Sequence, residues 1–512
     1  MSSSESQSMS DSRSSTPPLL DAPLLPPNLD PRNWTRLRRL GIAIVMLSLS
    51  TLIDMSSTLY SGAQSQIQEQ FHVSNFVVTL GVGLINFGFA IGPLIAAPLS
   101  ELYGRQPVYI CSTIGFVAFC LGATLSQSME SLLVCRLMAG LVGAAVFSNY
   151  GGTLSDIFTP DERAPLVALF TLVFQGAPTI GPVPSSYMGQ YVNWRWILAL
   201  ITIWGAAMTA VIVIIPETEA TAIHRKLIKK QMKESGTKDI SKSTTPRASV
   251  WGKALLTPLI MLFREPIMLW ASTYHAFIYG LLFLLLEAYP YVFQNTYGFN
   301  QGETGLIFLA PATGNVLGVL VYFFYLKPSY EAKQRAVRTK SATCEELKPE
   351  ERLPGVMLSS IFTPIGMFWF AFTARSSIHW IVPAMSGVPV GIGMTLLQLS
   401  LTNYYIDLYP TRSASALAAA CFMRNTAATW FPTFAVPMYQ RLGTMNASLI
   451  LAGISCIGVP SGFVLLIFGS RLRARSKWAI QDEVATDSEM TEKVVSSDSE
   501  VSFDPLLLCT FD

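Results

Sequence analysis

Charged residues are scarce in this chain. Asp, Glu, Lys and Arg make up 13% of its 512 residues, against about one quarter in an average soluble domain. So few charges cannot cover the surface of a water-soluble globule, which excludes an ordinary cytosolic enzyme, a nucleic-acid-binding protein and a disordered scaffold. The hydrophobic share of 51% and the mean hydropathy of +0.41 instead indicate a polytopic membrane protein.

Residues that build metal or catalytic sites are also sparse. The seven cysteines are odd in number and no two form a C-x-x-C pair, so neither a disulfide framework nor a zinc site is indicated. The chain lacks G-x-S-x-G, H-E-x-x-H and the Walker-type G-x-x-x-x-G-K-[ST] motif. We therefore expect no enzymatic activity, no metal, no cofactor and no pumping driven by ATP.

Long apolar runs predict twelve membrane-spanning helices. A bilayer core of roughly 30 Å needs about 20 apolar residues in a helix, because lipid cannot hydrogen-bond an exposed backbone. Runs of this kind lie at about 40–63, 76–100, 107–126, 131–152, 165–188, 194–216, 267–292, 303–326, 354–374, 379–403, 413–437 and 446–470. The expected fold class is an all-α membrane protein.

The positions of the basic residues predict the orientation. Four arginines precede the first span, and the segments after the sixth, eighth and twelfth spans are rich in Lys and Arg. The opposite side carries only Arg195, Arg375 and Arg441. Positive residues favour the cytoplasmic face, so both termini and the long central loop are expected in the cytoplasm.

The central loop divides the spans into six and six. The predicted units are a disordered cytoplasmic N-terminal tail, an N-terminal six-helix bundle, a cytoplasmic central loop, a C-terminal six-helix bundle and a disordered cytoplasmic C-terminal tail, at 1–39, 40–216, 217–266, 267–470 and 471–512. The first tail is rich in Ser and Pro and has no apolar core of a signal peptide. The second is polar and acidic, a composition that cannot pack a core.

A short repeat supports two equivalent halves. An acid, an aliphatic, an aromatic, a proline and an arginine follow the fourth span from Asp156 to Arg163, and the tenth span from Asp407 to Arg412. An alternative is two ordinary helix–turn–helix corners, where such residues are common. Two similar six-helix halves are what an alternating-access transporter needs, with its substrate held between them near the midplane.

The segment between the second and third spans carries the clearest motif. From Gly92 to Pro107 the chain reads GPLIAAPLSELYGRQP, in which Gly104 allows a tight turn between Glu101 and Arg105. The opposite charges of these two residues can pair when one conformation closes. This segment resembles the signature loop of the major facilitator superfamily, and its wording resembles the fungal drug:proton antiporter branch with twelve spans. It departs from the usual pattern at Glu101, where Asp is common.

Further motifs lie at the spans where the family has them. Arg136–Gly140 resembles the R-x-x-x-G of the fourth span, and Ala177–Ser186 resembles the antiporter signature of the fifth. Glu287–Leu306 and Tyr405–Arg424 are also similar to this branch, so that the resemblance covers roughly residues 33–470. It implies two six-helix bundles, a small-molecule substrate, and exchange of that substrate for protons.

Ionisable side chains inside spans indicate a functional or structural role, because inserting each into the bilayer costs about 2.5–3.5 kcal/mol. Arg136 lies in the fourth span and Arg424 near the middle of the eleventh. Gln175 follows Arg163 by twelve residues, just as Arg424 follows Arg412, so the repeat places the two side chains at matching depth. Since arginine stays protonated, its partner must be an acid, backbone carbonyls or an anionic substrate. We expect Arg136, Arg424 and Gln175 in the substrate site; the alternative for Arg136 is a pair with Asp54 or with backbone.

Two intramembrane acids are the candidate proton carriers. They are Asp54 in the first span and Glu287 in the seventh; the alternative for Glu287 is exposure to water at the outer leaflet. His275, also inside a span, is expected to be structural. Polar and aromatic residues that could line the cavity are Tyr279, Gln398, Asn403, Tyr404 and Trp430, of which we place Tyr279, Gln398 and Asn403 in the substrate site.

The sequence thus predicts a monomeric, proton-coupled transporter that exports a small organic metabolite across the plasma membrane, or alternatively the vacuolar membrane. Two arginines, one in each half, favour an organic acid such as itaconate. The alternatives are a multidrug or polyamine efflux carrier and, from another class, a nutrient sensor built on a transporter scaffold. Expected partners are the substrate, protons and the bilayer, without nucleic acid.

Overall fold

The computed structural model describes residues 30–220, 222–227, 248–340, 347–473, 476 and 478. Within these ranges every regular element is helical and no strand occurs. The predicted all-α membrane class is therefore confirmed. Most of the two predicted tails, and part of the predicted central loop, lie outside the described residues.

The first six spans follow one another with short connections. In chain order their helices are Arg36–Leu59 with its extensions Tyr60–Ala63 and Gln64–Phe71; Asn75–Tyr103; Arg105–Thr124; Met129–Gly143 with Ala145–Ile157; Pro160–Ile180 with Pro182–Tyr191; and Trp194–Ile214. The last six spans are Pro266–Tyr297; Gln301–Leu306 with Leu309–Val321 and a π-helical turn at Tyr322–Leu326; Pro354–Thr373; Ile381–Met385 with Gly387–Leu408; and a long helix Ser413–Cys456 followed by Gly458–Arg473.

Ten helical segments of the described chain are long and apolar enough to cross a membrane. One of them, Ser413–Pro460, has 48 residues and would measure about 72 Å as a straight helix. It contains Gly443 at φ 76° and ψ 161°, a conformation that breaks the helix, so this segment is the eleventh and twelfth spans joined by a sharp corner. The fifth span is divided at Gly181 into two shorter helices. Ser413–Pro460 counts as two spans and the fifth span is not among the ten segments, so the described helices agree with twelve crossings.

Two polar segments expected as loops contain helices. Ala248–Arg264 lies in the predicted central loop, and Lys327–Lys340 prolongs the eighth span into the predicted loop at 327–353. Ion pairs one turn apart support the second helix, since Glu331 lies 3.7 Å from both Lys327 and Arg335. A search for membrane-spanning apolar runs misses these helices because Ala248–Arg264 has only 17 residues and Lys327–Lys340 is polar.

Hydrogen bonds join the six-span halves at one end of the molecule. We call the end that carries Arg36 and Ile214 the terminal face, and the other end the opposite face. At the opposite face three hydrogen bonds join the halves, and we call them the latch: Gln64 Nε2 donates to Glu287 Oε1 at 2.7 Å, Gln301 Nε2 to the Gly62 carbonyl at 2.8 Å, and the Gly302 amide to Gln190 Oε1 at 3.1 Å.

Contacts between the halves continue to the middle of the spans. Asn315 of the eighth span donates to the carbonyl of Gln175 and to Oγ1 of Thr179, each at 3.1 Å. Gly83 of the second span packs so closely on the backbone of Thr429 in the eleventh that a side chain there would collide with it. The molecule is therefore closed from the opposite face to its centre.

Gly443 offers a test of the corner between the last two spans. A Gly443→Ala variant places a side chain at φ 76°, where nothing else lies within 4 Å, so backbone strain of about 1–3 kcal/mol is the only cost. We expect a clearly lower temperature midpoint of unfolding in detergent. The control is Gly453→Ala, which is helical, equally uncrowded and expected to leave the midpoint unchanged or higher. Equal midpoints for both variants would contradict the corner.

The latch offers a second test. In Glu287→Leu the Gln64 amide loses its acceptor, which costs about 1 kcal/mol or more and favours opening of the opposite face. Ser186, buried near Gly305 behind the latch, is changed to cysteine as a reporter. We expect the reporter to react about fivefold faster with a membrane-impermeant maleimide added to intact cells.

The control for this experiment is Asn295→Ala in the same span. The amide of Asn295 is exposed and donates only to the carbonyl of Tyr291 in its own helix, so its loss leaves the latch intact. Labelling that rises equally in both variants, or in neither, would show that the Gln64–Glu287 bond does not hold the face closed.

Candidate functional site

Arg424 occupies the boundary between the two halves. It lies in the eleventh span and is only 5% exposed. Its guanidinium is stacked between the ring of Phe174 from the first half, at 4.5 Å, and the ring of Tyr279 from the second, at 4.6 Å. Nη1 donates to Oε1 of Gln398 at 2.8 Å. Two aromatic faces and an amide oxygen thus hold the cation in place.

One edge of this guanidinium is not used by the protein. Nε of Arg424 makes no hydrogen bond, and Nη2 contacts only the sulfur of Cys421, a weak acceptor, at 3.7 Å. Nε and Nη2 form the side-on fork that matches the two oxygens of a carboxylate. The site therefore presents a fixed, positively charged, two-pronged donor at the boundary.

Asp54 places a carboxyl group near Arg424 from the other half. It lies in the first span, is 3% exposed and leaves Oδ2 without a hydrogen-bond partner. Its carboxylate is within electrostatic range of Arg424, although the two groups do not form a direct ion pair. When Asp54 is ionised, its charge and that of Arg424 attract each other across the boundary between the halves.

Gln175 and His275 also carry unpaired atoms near Arg424. Gln175, next to Phe174, donates to the Met394 carbonyl at 3.4 Å, but its Oε1 accepts nothing. His275 is buried with both ring nitrogens unpaired, close to Arg424 and Gln398. The expectation of a merely structural His275 rested on its being a lone histidine in its span. The signal that it belongs here was its spacing of one helical turn from Tyr279.

We call these six residues the central cluster: Asp54, Gln175, His275, Tyr279, Gln398 and Arg424. They come from the first, fifth, seventh, tenth and eleventh spans and bring both halves together. Most buried polar groups in proteins are hydrogen-bonded, and each one left unpaired costs about 1–3 kcal/mol. Unpaired atoms on Asp54, Gln175, His275 and Arg424 make the central cluster a candidate site for a ligand that would complete the hydrogen bonding.

Aromatic rings extend from the cluster through the first half. Phe174 lies 5.8 Å from Phe170 and 5.3 Å from Phe147, and Phe170 stacks on Tyr150 with ring centres 4.1 Å apart. A fifth ring, Phe89, meets Phe147 edge-on at 5.3 Å. These rings offer a wall on which a flat apolar molecule could stack.

Arg136 lies elsewhere. Its guanidinium donates to the carbonyls of Gly81, Ser56 and Ser57, the last two at 3.3 and 3.2 Å, and lies 4.3 Å from the centre of the Tyr60 ring. The Ser56 and Ser57 carbonyls lie just before the first span tightens into a 3₁₀ turn at Tyr60–Ala63, and the Gly81 carbonyl belongs to the second span. The structure therefore places Arg136 in its alternative role, bound to backbone inside the first half, and away from the central cluster.

Two other predicted site residues also lie apart. Asn403 donates to the Tyr322 hydroxyl at 3.0 Å and to the Leu399 carbonyl at 2.7 Å, both within the second half. Glu287 is 7% exposed and part of the latch, so the alternative that it faces water is wrong for this conformation. It lies two helical turns beyond Tyr279, too far along the span to join the central cluster.

The loop of the signature motif is built around Arg105. Gly104 has φ 97°, which permits the turn, and Arg105 contacts Asp156 at 3.4 Å and donates to Oγ of Ser100 at 2.7 Å. Glu101 is helical, but its side chain lies outside the described residues. The described acidic partner of the Arg105 side chain is Asp156 of the repeat, and the pairing of Arg105 with Glu101 stays a prediction.

Sequence reasoning missed Glu217, which directly follows the sixth span. Its Oε1 accepts from the backbone amide of Arg105 at 2.9 Å and from that of Gln106 at 3.4 Å, and so caps the start of the third span. The signal was the acidic pair in Pro216–Glu219. Burial raises the pKa of Glu219 to about 7, although nearby Arg105 opposes the shift.

The second half has a matching pair at the same face. Arg352 donates to Asp407 at 2.8 Å, and its guanidinium lies 3.5 Å over the ring of Tyr330. Asp407 corresponds in the predicted repeat to Asp156, the partner of Arg105. In the described part of the chain no group of His, Cys, Asp and Glu is arranged to hold a metal.

Comparisons with known proteins agree with this architecture. The family model of the Major Facilitator Superfamily matches residues 46–432. The multidrug transporter mdrA of Aspergillus fumigatus is 36% identical over 89% of this chain and 75% of its own length. The efflux pump FUB11 of Gibberella moniliformis is 37% identical over 86% and 74%. The multidrug transporter TPO1_2 of Candida glabrata is 34% identical over 88% and 78%.

Among solved structures, a partially occluded inward-open form of the xylose transporter XylE from E. coli is similar with a TM-score of 0.60. It covers 84% of this chain and 98% of XylE, at 13% identity, which shows the fold alone. The predicted resemblance is confirmed, since fungal transporters named for efflux are among the relatives. The chain belongs to the Major Facilitator Superfamily.

Proposed function

We propose that this protein is a proton-coupled secondary transporter that exports a small organic molecule by alternating access. The observation that carries the proposal is the central cluster, a buried group of unpaired polar atoms shared between the halves. A group that both halves contribute can be offered to one side of the membrane and then to the other as the halves rock. Relatives named as efflux pumps support the direction of transport.

The leading substrate class is an organic acid such as itaconate. A carboxylate would take the Nε–Nη2 edge of Arg424, while Phe174 and Tyr279 hold the guanidinium plane in position. The aromatic faces also shield this contact from water, which strengthens a charge-assisted hydrogen bond. Arg136 is not part of the proposed site, because carbonyls already satisfy it.

The latch supports alternating access. The positive-inside pattern assigns the terminal face to the cytoplasm, so the opposite face with its latch would face outward. The structure is then closed on the outside, and export requires the three latch bonds to break while the terminal face closes. The plasma membrane is the proposed location, with the vacuolar membrane as the alternative, and the functional unit is a monomer.

Asp54 and Glu287 are the proposed proton carriers. Ionised Asp54 and a substrate carboxylate compete for the charge of Arg424, so substrate occupancy and the proton on Asp54 influence each other. Glu287 accepts a hydrogen bond across the latch, so its proton can exchange with the outside only when the latch opens.

Multidrug efflux is the second candidate function. The wall of Phe89, Phe147, Tyr150, Phe170 and Phe174 beside the cluster suits flat apolar compounds, and two of the relatives above are named multidrug transporters. A polyamine fits less well, since the central cluster contains one acid and one permanent cation. Flux of an acridine dye against flux of itaconate in the same vesicles separates the two candidates.

Arg424→Gln tests the proposed binding residue. Removing the charged fork leaves a bound carboxylate without its counter-charge, a loss of about 2–5 kcal/mol, so we expect itaconate flux in reconstituted vesicles to fall at least about thirtyfold. The control is Arg441→Gln, which changes an exposed arginine in the corner after the eleventh span. Unchanged flux in Arg424→Gln, at equal reconstitution, would contradict the organic-acid proposal.

Asp54→Asn tests the proton coupling. A neutral amide cannot carry a proton, so we expect an imposed pH gradient to lose its effect on net flux, while exchange of labelled for unlabelled substrate continues without a gradient. Glu69→Gln, at an exposed acid beyond the same span, serves as control and keeps the gradient response. A full gradient response in Asp54→Asn would show that this carboxyl does not carry the coupled proton.

A further inference from the structure

His275 is a buried imidazole that the proposed transport scheme has not used. It lies in the seventh span, 4% exposed, in a helix that also supplies Tyr279 to the central cluster. Four residues separate the two, which places them on one face and about 6 Å apart along the helix axis. Tyr279 stacks on Arg424, so His275 lies one turn nearer the terminal face.

Neither nitrogen of His275 has a hydrogen-bond partner. Two polar neighbours on its face make hydrogen bonds to other groups, although the amide of Gln398 keeps a second hydrogen. Gln398 gives Oε1 to Arg424 and its amide nitrogen to Oγ1 of Thr402 at 3.1 Å. One turn earlier, the Ser272 hydroxyl is 3.3 Å from that of Tyr405. The surroundings therefore leave a donor and an acceptor unmet in this conformation.

An unpaired buried donor and acceptor together cost more than an apolar side chain of similar shape would. A phenylalanine would fill the same space without that cost, so packing alone does not explain the imidazole. The place of His275 beside Arg424 explains the presence of an imidazole better than packing does. The ring lies near Arg424 and Gln398, so a ligand that binds Arg424 and extends along the seventh span toward the terminal face would meet it.

We propose that His275 is a substrate-binding residue that hydrogen-bonds a second polar group of the substrate, one helical turn from the carboxylate held by Arg424. This inference rests on the proposed function and narrows it. The preferred substrates are short acids with a second carboxylate, hydroxyl or carbonyl group. Arg424 supplies the charge, and the imidazole supplies one donor and one acceptor that distinguish such acids from simple monocarboxylates.

The experiment compares itaconate with methacrylate, which is itaconate without one carboxyl group. Flux of each labelled acid is measured in vesicles that contain the full-length protein, after subtraction of flux in protein-free vesicles. For His275→Phe we expect the KM for itaconate to rise about tenfold or more, with little change in maximal rate and in methacrylate flux. His275→Gln, which keeps a donor and an acceptor, should restore most of the itaconate affinity.

Thr273→Val is the matched control, since Thr273 is exposed on the same span and donates only to the Leu269 carbonyl. Arg424→Gln separates the two proposals, because it should abolish flux of both acids. If it does so while His275→Phe behaves as the unsubstituted protein, the inference about His275 fails and the proposed function stands. If His275→Phe impairs both acids equally and His275→Gln does not help, the residue is structural and the inference is overturned. No itaconate flux by the unsubstituted protein would overturn both.

Discussion

The burial of one arginine cation at the boundary of two helical halves constrains everything around it. Arg424 cannot lose its proton, and its desolvation must be offset by the groups that surround it. Two aromatic faces, the Gln398 oxygen and the nearby carboxyl group of Asp54 provide that compensation, yet they leave one edge of the guanidinium open. The compensation comes from both halves, so any relative movement of the halves changes the environment of the charge.

The chain holds a second buried arginine in a contrasting way. Arg136 takes three backbone carbonyls and the face of Tyr60, all from its own half. A charge satisfied in this way fixes the first, second and fourth spans to one another and offers nothing to a ligand. The same residue type thus serves rigidity in one position and binding capacity in the other, and the difference is whether nearby carbonyls are free.

The two ends of the molecule differ in whether their polar contacts lie within a half or between the halves. At the terminal face each half is held by its own arginine–aspartate pair, Arg105 with Asp156 and Arg352 with Asp407. At the opposite face the latch joins one half to the other, mainly through neutral amides and one carboxyl. Charged pairs within each half and weaker bonds between the halves suit two rigid bodies that separate and rejoin at one end.

The sequence by itself determined the class, the number of spans and the family, because bilayer thickness dictates the length of apolar runs and because small, charged and proline residues recur at set places. It also singled out Arg424, Asp54 and Gln175 as polar residues inside spans, since a polar group in an apolar run is visible without coordinates, and these three lie together in the central cluster. It could not decide the role of Arg136, the buried contact of Glu287 or the membership of His275 in the central cluster. Those depend on which carbonyls lie within reach of Arg136 and which faces of distant helices meet, and only the packing of the spans settles such matters.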